Sequence, residues 1–220
     1  MILLENTSIL DGLNDAQREA VTSTGGPLLI LAGAGSGKTR VLTHRIAYLL
    51  EVEKVLPWQI LAITFTNKAA NEMKERLVNL IGPVANDMWV STFHSACVRI
   101  LRSHANEVGF NRNFVIYDTA DRETMLKQCL KELDLDPKHY SPRAIGATIS
   151  NAKNELKDAR RFSSEADDYY QKIVAGVYTL FEEKMAANNA FDFDDLLMKT
   201  VELFQANEAV LEFYQDKLLY

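Results

Sequence analysis

Short apolar runs alternate with helix-spaced apolar positions through the first half of the chain. The runs lie at residues 27–32, 60–63 and 88–90, and each leads into a turn rich in glycine or hydroxyl side chains. After each run, apolar side chains recur every three or four residues, which is the spacing of one helix face. Three such units in succession predict an α/β fold in which helices cover a parallel sheet.

A mostly helical pattern replaces this alternation beyond about residue 110. A short apolar run at 114–117 comes first. Helix patterns then begin at four places: Asp121, Ser141, about Ala166 and about Asp192. Ser141 directly before Pro142 is a typical helix start, because serine caps free N–H groups and proline fits the first turn. The final residues, Leu218–Tyr220, predict the start of another strand.

These patterns divide the chain into three segments. We expect residues 1–110 to form the first part of the α/β domain, residues 111–189 a mostly helical insertion, and residues 190–220 a return to the first domain. The formal net charge is −6, and residues 190–220 hold 7 acidic and 2 basic side chains. Because the rest of the chain is nearly neutral, the acidic balance does not exclude a local basic groove for nucleic acid.

Composition excludes several classes of protein. Hydrophobic residues make up 47% of the 220 residues and charged residues 25%, which is typical of a folded chain and not of a disordered one. No apolar run approaches the roughly 20 residues that a membrane span needs. Cys97 and Cys129 fall in helical patterns without the spacing of a disulfide framework or metal site. We expect a soluble intracellular protein with no membrane partner.

The strongest local signal for chemistry is a glycine-rich segment between a predicted strand and a predicted helix. It consists of Ala32, Gly33, Ala34, Gly35, Ser36, Gly37, Lys38 and Thr39. Such a turn lets backbone N–H groups converge on a phosphate, while the following helix N-terminus adds partial positive charge. Lys38 would reach the β- and γ-phosphates of a nucleotide, and the Thr39 hydroxyl would bind Mg²⁺. The general pattern has glycine where this chain has Ala32. The alternative interpretation is an ordinary glycine-rich turn.

Gln17 has two possible roles upstream of this loop. Asn14 and Gln17 have the spacing of a capping box, in which each side chain bonds the other residue's backbone N–H at a helix start. Alternatively, the Gln17 amide could read the edge of an adenine, because one amide both donates and accepts hydrogen bonds. Spacing alone favours the cap.

Two further motifs follow the second and third predicted strands. Residues 64–70 and 91–95 each place a phenylalanine among hydroxyl or amide side chains at a strand-to-helix turn. Ligands of open α/β sheets bind beyond the carboxyl ends of the strands. Aromatic rings there could stack nucleobases while polar groups and helix N-termini hold phosphates, which suits single-stranded nucleic acid. A buried phenylalanine beside a helix cap is the alternative for each motif taken alone.

Five motifs together resemble the UvrD/Rep/PcrA group of superfamily 1 DNA helicases, and they cover essentially the whole chain. They lie at residues 13–17, 32–39, 63–70, 91–95 and 191–197. The resemblance implies a RecA-like P-loop NTPase sheet, the first motor domain, interrupted by a helical subdomain. It also implies ATP- and Mg²⁺-driven 3′-to-5′ movement on single-stranded DNA and at single/double-strand junctions, in DNA repair or replication, within the bacterial cytosol. Ala32 at the first loop position is usual in that group.

The resemblance also implies roles for individual residues. Gln17 would read adenine, Arg40 would lie near the base or ribose, and residues 32–39 would hold the phosphates, with Lys38 and Thr39 as the catalytic residues and Thr39 on the metal. The residues expected to face DNA are Phe65, Thr66, Asn67, Thr92, Phe93, His94, Phe191 and Phe193.

Other interpretations stay open for several of these side chains. His94 could act as a base, although a DNA-facing or structural role fits its surroundings better. Phe191 and Phe193 could instead fix a helix start, with Asp192 or Asp194 as the cap. The basic residues Lys153, Lys157, Arg160 and Arg161 form either a solvated face or a contact for duplex DNA. The aromatic residues Tyr169, Tyr170, Tyr178 and Phe181 fit a helix-packing core.

Two elements of the resembled motors are expected beyond residue 220. These are the Asp-Glu pair that ends the next strand and helps to bind Mg²⁺ and orient water, and the second motor domain. We therefore expect this chain to be the N-terminal part of a helicase, with little or no ATP turnover on its own. The alternatives are a non-catalytic nucleotide- or DNA-binding module ending near Tyr220, a small-molecule P-loop kinase, and a helicase relative fused to a nuclease.

Overall fold

The computed structural model describes residues 9–220, whose contacts form two compact units. Unit 1 contains the described residues up to Phe93 together with Glu212–Tyr220, and unit 2 is His94–Leu211. The predicted limits near residues 110 and 190 differ from this division. They followed the change in apolar periodicity, whereas the units follow packing, and the helix after residue 192 packs against the helical insertion.

Unit 1 is built mainly from helices around a small parallel sheet. Its elements are α1 (Asp15–Thr22), α2 (Lys38–Glu51), β1 (Leu61–Thr64), α3 (Asn67–Ile81) and β2 (Trp89–Thr92). Helix α4 (Phe93–Ser103) begins as unit 1 ends. The last helix of the chain, numbered α10 (Glu208–Lys217), crosses from unit 2 into unit 1. The predicted helices after all three apolar runs are present.

Strands β1 and β2 pair in parallel, with Leu61 opposite Trp89 and Thr64 opposite Thr92. The end of the chain lies along the other edge of β1. The Leu61 N–H donates to the Tyr220 carbonyl at 2.8 Å, and the Tyr220 N–H donates to the Gln59 carbonyl at 3.2 Å. This is the bonding pattern of neighbouring parallel strands, as expected for Leu218–Tyr220.

The strand predicted at residues 27–32 is not formed. Within residues 9–220 this segment pairs with no strand, and Leu29 and Leu31 are 82% and 88% exposed. The prediction was wrong here because a strand is held by hydrogen bonds to its neighbours, and an apolar run alone does not supply them.

Apolar faces of α2 and α3 cover the paired strands. Ile46 and Leu49 of α2 and Leu77 of α3 are at most 3% exposed and pack around Ile60 and Ala62. Burial of these side chains is the main force that holds α2 and α3 against the sheet.

Unit 2 is mostly helical. Its helices are α5 (Thr119–Glu132), α6 (Pro142–Asn154), α7 (Ala159–Glu165), α8 (Tyr169–Ala187) and α9 (Phe193–Ala206), and the short strands β3 (Val115–Ile116) and β4 (Ala190–Phe191) pair in parallel. Helix α6 begins at Pro142, as predicted, although the Ser141 side chain makes no capping hydrogen bond. Tyr178 and Phe181 are fully buried in the core between α5, α6 and α8, whereas Tyr169 is 73% exposed, so only part of the predicted aromatic core forms.

The chain is therefore a mixed α/β protein, mostly helical, with small parallel sheets. Within residues 9–220, no helix is both long enough and apolar enough to cross a membrane.

Candidate nucleotide-binding and nucleic-acid-binding residues

The glycine-rich segment forms a turn that opens directly into α2. Gly35 and Gly37 have φ angles of +76° and +86°, a backbone region that glycine adopts without strain. Gly37 is the N-cap of α2 and provides no side chain to cap the helix. The first-turn N–H groups of this 14-residue helix are therefore available to a bound anion.

Two side chains of the turn bond to its own carbonyls. The Lys38 ammonium donates to the Gly33 carbonyl at 2.7 Å and to the Ala32 carbonyl at 3.1 Å. The Ser36 hydroxyl also donates to Gly33, at 2.8 Å. Lys38 thus lies over the loop where a phosphate would compete for its three donors. Thr39 is exposed in the first turn of α2, directly after Lys38.

Gln17 combines the cap with a contact to the phosphate loop. Its backbone N–H donates to Asn14 Oδ1 at 2.9 Å, and its own Oε1 accepts from the Asn14 N–H at 3.1 Å, so the predicted capping box is confirmed. Its Nε2 donates to the Ser36 carbonyl at 3.0 Å. A Cβ atom on Gly37 would come within 2.9 Å of this Nε2. A side chain at position 37 would therefore displace the Gln17 amide from its present contact with the turn.

Arg40 borders an open cavity of about 340 Å³ on unit 1. The cavity is lined by Arg40, Thr43, His44, Arg76, Asn79 and Leu80. Guanidinium and amide groups around a shallow cavity suit the ring edges and hydroxyls of a nucleoside. A larger cavity of about 700 Å³ lies beside β1, away from the phosphate loop, and its lining is mainly aliphatic, including Leu42, Leu49 and Ile60.

An exposed aromatic pair stands at the carboxyl ends of β1 and β2. Phe65 is 91% exposed and Phe93 45% exposed, and their ring centroids lie 5.8 Å apart. Thr66 caps α3 by accepting the Ala69 N–H at 3.1 Å, and Asn67 is exposed beside it. The alternative interpretation was a buried phenylalanine beside a helix cap. The Thr66 cap is present, but the Phe65 and Phe93 rings are exposed.

Thr92 does not fit the expectation of a DNA-facing side chain. It is only 7% exposed and ends β2 opposite Thr64. A side chain so enclosed serves the packing of the strand end, since a nucleic acid could not reach it without local rearrangement. We therefore remove Thr92 from the candidate contacts.

Unit 2 contains a second aromatic pair. The His94 and Phe193 rings meet edge to face with centroids 5.5 Å apart, and Phe193 is 49% exposed. Phe191 is only 1% exposed and packs against Phe110 at 4.1 Å and Phe114 at 4.8 Å between centroids. The expectation that Phe191 faces DNA is corrected by this burial. Asp192 is the cap of α9, as one of the open interpretations proposed.

The predicted basic cluster in the insertion is not a basic surface. Lys153 is 1% exposed and bonds carboxylates, and Lys157 pairs with Glu155 at 2.9 Å and with Glu165 at 2.8 Å. Arg161 also pairs with Glu165, at 3.0 Å. Acidic neighbours thus offset three of the four cations, and this face gives no strong attraction for the phosphates of a duplex.

Burial and ion pairing change the acid–base properties of the Lys153 site. Burial favours the neutral amine, but Asp195, Asp192 and Glu182 together raise the pKa of Lys153 above its usual value. Burial also opposes ionisation of Asp192, yet Lys153 and Arg122 hold the pKa of that carboxyl below its usual value. For Asp195, burial outweighs the attraction of Lys153 and raises the pKa to about 7.

Sequence reasoning missed Arg122 and misjudged Lys153. The available signal was weak because the partners lie far along the chain, 39 and 42 residues away for the two aspartates bonded by Lys153. Within residues 9–220, no group of three or more histidine, cysteine, aspartate or glutamate side chains is arranged to hold a metal ion.

Residues 13–220 match the UvrD/REP helicase N-terminal domain. The chain belongs to the UvrD/REP helicase family. The match covers nearly all of the described residues, including the phosphate loop, both strand-end motifs and the helical unit.

Curated relatives in the UvrD/REP family carry the name ATP-dependent DNA helicase PcrA. The Bacillus subtilis (strain 168) protein is 57% identical over 215 residues, and the Staphylococcus aureus (strain Mu50) protein is 53% identical over 213 residues. These alignments cover 98% and 97% of this chain but only 29% of each relative. A Staphylococcus epidermidis relative is 51% identical with the same coverage as the Staphylococcus aureus protein. The chain thus spans less than a third of the length of these relatives.

Proposed function

We propose that this chain is the ATP-binding N-terminal part of a 3′-to-5′ DNA helicase with a RecA-like motor fold. The observation that carries the proposal is the uncapped N-terminus of α2, preceded by a glycine-rich turn in which Lys38 already bonds the turn carbonyls. The names of the relatives, which describe ATP-dependent DNA helicases, support the same reaction for the whole protein.

ATP would bind with its β- and γ-phosphates over the first turn of α2. The N–H groups at residues 35–39 would donate to the phosphate oxygens. The Lys38 ammonium would exchange its present bonds to the turn carbonyls for bonds to the phosphates. Gln17 and Arg40 would contact the adenine and ribose. The Gln17 amide supports this because it already bonds the Ser36 carbonyl of the turn, and Arg40 lies in the first turn of α2.

Mg²⁺ would neutralise negative charge on the phosphates while the γ-phosphoryl group of ATP is transferred to water. Thr39 fits a role as one of its ligands because its side chain is exposed in the first turn of α2. The chain's own residues would bind and orient the nucleotide. Carboxylates expected beyond residue 220 would complete the site, so we propose that these 220 residues turn over ATP little by themselves.

Single-stranded DNA would contact the exposed aromatic pairs. Phe65 and Phe93 offer ring faces for nucleobases at the strand ends of unit 1, with Thr66 and Asn67 beside them, and His94 and Phe193 offer a second contact on unit 2. Stacking of this kind is tolerant of sequence, as a translocating motor requires. The exposed rings favour this function over a small-molecule kinase, which has no use for them.

For the whole protein we propose a role in DNA repair or replication in the bacterial cytosol, which the bacterial source of the relatives supports. Single/double-strand junctions would be its sites of action.

Binding of a fluorescent ATP analogue with Mg²⁺ to the 220-residue chain tests the nucleotide site. Lys38→Ala should weaken binding roughly ten- to a hundred-fold, because it removes charge-assisted hydrogen bonds to phosphate. Arg18→Ala is the matched control, since Arg18 is an exposed cation on α1. Equal binding by wild type and Lys38→Ala would contradict the proposal. Rapid ATP hydrolysis by the chain alone, abolished by Lys38→Ala, would contradict the proposed low turnover.

A further inference from the structure

A buried lysine joins three helices of unit 2. Lys153, on α6, has a fully buried side chain whose ammonium lies 2.9 Å from Glu182 of α8. The same ammonium lies 3.2 Å from Asp192 and 2.6 Å from Asp195, at the start of α9. It also lies over the rings of Tyr178 and Phe181, 5.8 and 5.1 Å from their centroids. A lone buried charge is very costly, so this lysine is tolerated only because its partners surround it.

The two aspartates that bond Lys153 also form the N-terminal cap of α9. Asp192 Oδ1 accepts the Asp195 N–H at 2.8 Å, and Asp195 Oδ2 accepts the Asp192 N–H at 3.0 Å, which forms a capping box. The remaining oxygen of each carboxylate, Asp192 Oδ2 and Asp195 Oδ1, bonds Lys153. Every carboxylate oxygen of the box therefore has a partner, and the orientation of both aspartates is fixed.

Arg122 holds the same turn from α5. Its Nε lies 3.3 Å from Asp192 Oδ2, and its Nη1 lies 3.3 Å from Asp194 Oδ2. Its remaining nitrogen donates to the Gly146 carbonyl at 2.8 Å, which ties Arg122 to α6 as well. Arg122 and Lys153, on two helices, thus pair with three acidic side chains of the turn, those of Asp192, Asp194 and Asp195.

Phe193 is the residue of this turn that points away from the buried cluster. The residues on either side of it are held by ion pairs, and the buried Phe191 ring anchors the entry to the turn. The Phe193 ring is left half-exposed against His94. A ring that is already fixed in place loses little conformational freedom when a base stacks on it, which favours binding.

We propose that Lys153 is a positioning residue for nucleic-acid binding: through Asp192 and Asp195 it fixes the turn at residues 192–195, so that Phe193 stands beside His94 in the conformation that stacks a nucleobase. The inference rests on the proposed function for its ligand, single-stranded DNA. Lys153 would thus contribute to the affinity for DNA although its buried side chain cannot touch DNA.

The first experiment measures the position of the ring without DNA. In the full chain, the ring protons of His94 should show an NMR shift caused by the Phe193 ring, which Phe193→Ala removes. Lys153→Met should reduce this shift although Phe193 is still present, and Lys157→Met should not change it. Lys157 is the matched control because it is a cation of the same helical unit whose ammonium pairs with Glu155 and Glu165 instead. An unchanged His94 shift in folded Lys153→Met would overturn the inference.

The second experiment measures affinity for a fluorescent oligothymidylate of about 12 nucleotides. Lys153→Met and Phe193→Ala should each weaken binding about five-fold or more, and the double variant should lose no more than Phe193→Ala alone. A full additional loss in the double variant would overturn the inference. If Phe193→Ala binds normally while the His94 shift responds to Lys153→Met, the lysine positions the ring but the proposed DNA contact fails.

If circular dichroism shows that Lys153→Met does not fold, Asp195→Asn replaces it in both experiments. It keeps the shape of the side chain and leaves Lys153 with two carboxylates, but it weakens the shortest of the three ion pairs. The same reduced His94 shift and reduced oligothymidylate affinity are expected. Lys153→Arg, which retains the charge, should restore part of both signals relative to Lys153→Met. Wild-type values for both measurements in folded Asp195→Asn would overturn the inference.

Discussion

The side-chain amide of Gln17 donates a hydrogen bond to the carbonyl of Ser36 at 3.0 Å, across 19 residues of sequence. This bond ties the capping box of α1 to the turn that is proposed to hold the phosphates of ATP. A change at Gln17, which is proposed to read adenine, should therefore alter the turn directly.

Gln17→Ala should weaken binding of Mg²⁺-ATP about two- to ten-fold, the value of one lost hydrogen bond of ordinary strength. The measurement is titration with a fluorescent ATP analogue. Asn14→Ala is the control, because it breaks the same capping box and leaves the Gln17 amide in place. If Asn14→Ala weakens ATP binding as much, the effect comes from the helix cap and not from the loop contact.

Gly37→Ala should disable the phosphate loop. A Cβ there would meet Gln17 Nε2 at 2.9 Å, and the φ of +86° costs a non-glycine residue about 1–2 kcal/mol. We expect a lower melting temperature and loss of measurable ATP binding. Gly25→Ala, where a Cβ would meet nothing within 4 Å, should leave both unchanged. Wild-type ATP affinity in Gly37→Ala would show that the loop tolerates another conformation.

Phe65→Ala should reduce affinity for single-stranded DNA roughly five- to a hundred-fold, because base–aromatic stacking contributes about 1–3 kcal/mol per base. Trp58→Ala is the matched control: Trp58 is also exposed, at 53%, but it precedes β1 instead of following it. Fluorescence anisotropy with labelled oligothymidylate measures both. A similar loss in the two variants would mean that binding is not localised at the strand ends.

Salt should distinguish ring contacts from phosphate contacts. The Lys68 side chain is 86% exposed in the first turn of α3, where an approaching phosphate would be attracted. Lys68→Ala should lower the slope of log affinity against log salt by about 0.7, the value for one phosphate contact on a single strand. Phe65→Ala should weaken binding without changing that slope. An unchanged slope in Lys68→Ala would remove this lysine from the interface.

The buried Asp195 should make stability depend on pH. Its pKa is raised from 3.8 to about 7 in the folded chain, so between these values the folded state holds a proton that the unfolded state has released. The contribution of Asp195 to the free energy of unfolding should therefore fall as pH rises through this window. Asp195→Asn should remove this decline in urea unfolding curves, and Asp194→Asn should retain it. An identical pH dependence in wild type and Asp195→Asn would contradict the raised pKa.

The sequence predicted features that depend on neighbouring residues. The helices after each apolar run, the start of α6 at Pro142 and the Asn14–Gln17 capping box all follow from local spacing, and the structure contains them. The glycine-rich turn before α2 was predictable for the same reason, since its glycines and Lys38 lie close together in the sequence.

Features set by distant residues were not predictable in this way. The run at 27–32 has the composition of a strand but no partner strand among the described residues. Lys153 looked like part of a basic surface because its carboxylate partners are 29 to 42 residues away. Phe191 and Phe193 are two positions apart in similar local sequence, yet one is buried and the other half-exposed, because Phe110 and Phe114 cover only the first.

The measurement that tests the central claim most directly is strand separation by the full-length protein on a duplex with a 3′ single-stranded tail, with Mg²⁺ and ATP. We predict that the wild type unwinds this substrate and that Lys38→Ala does not, because the loop before α2 can no longer bind the phosphates that drive movement. Unwinding that persists in Lys38→Ala, or a wild type that binds ATP and single-stranded DNA yet separates no strands, would contradict the account.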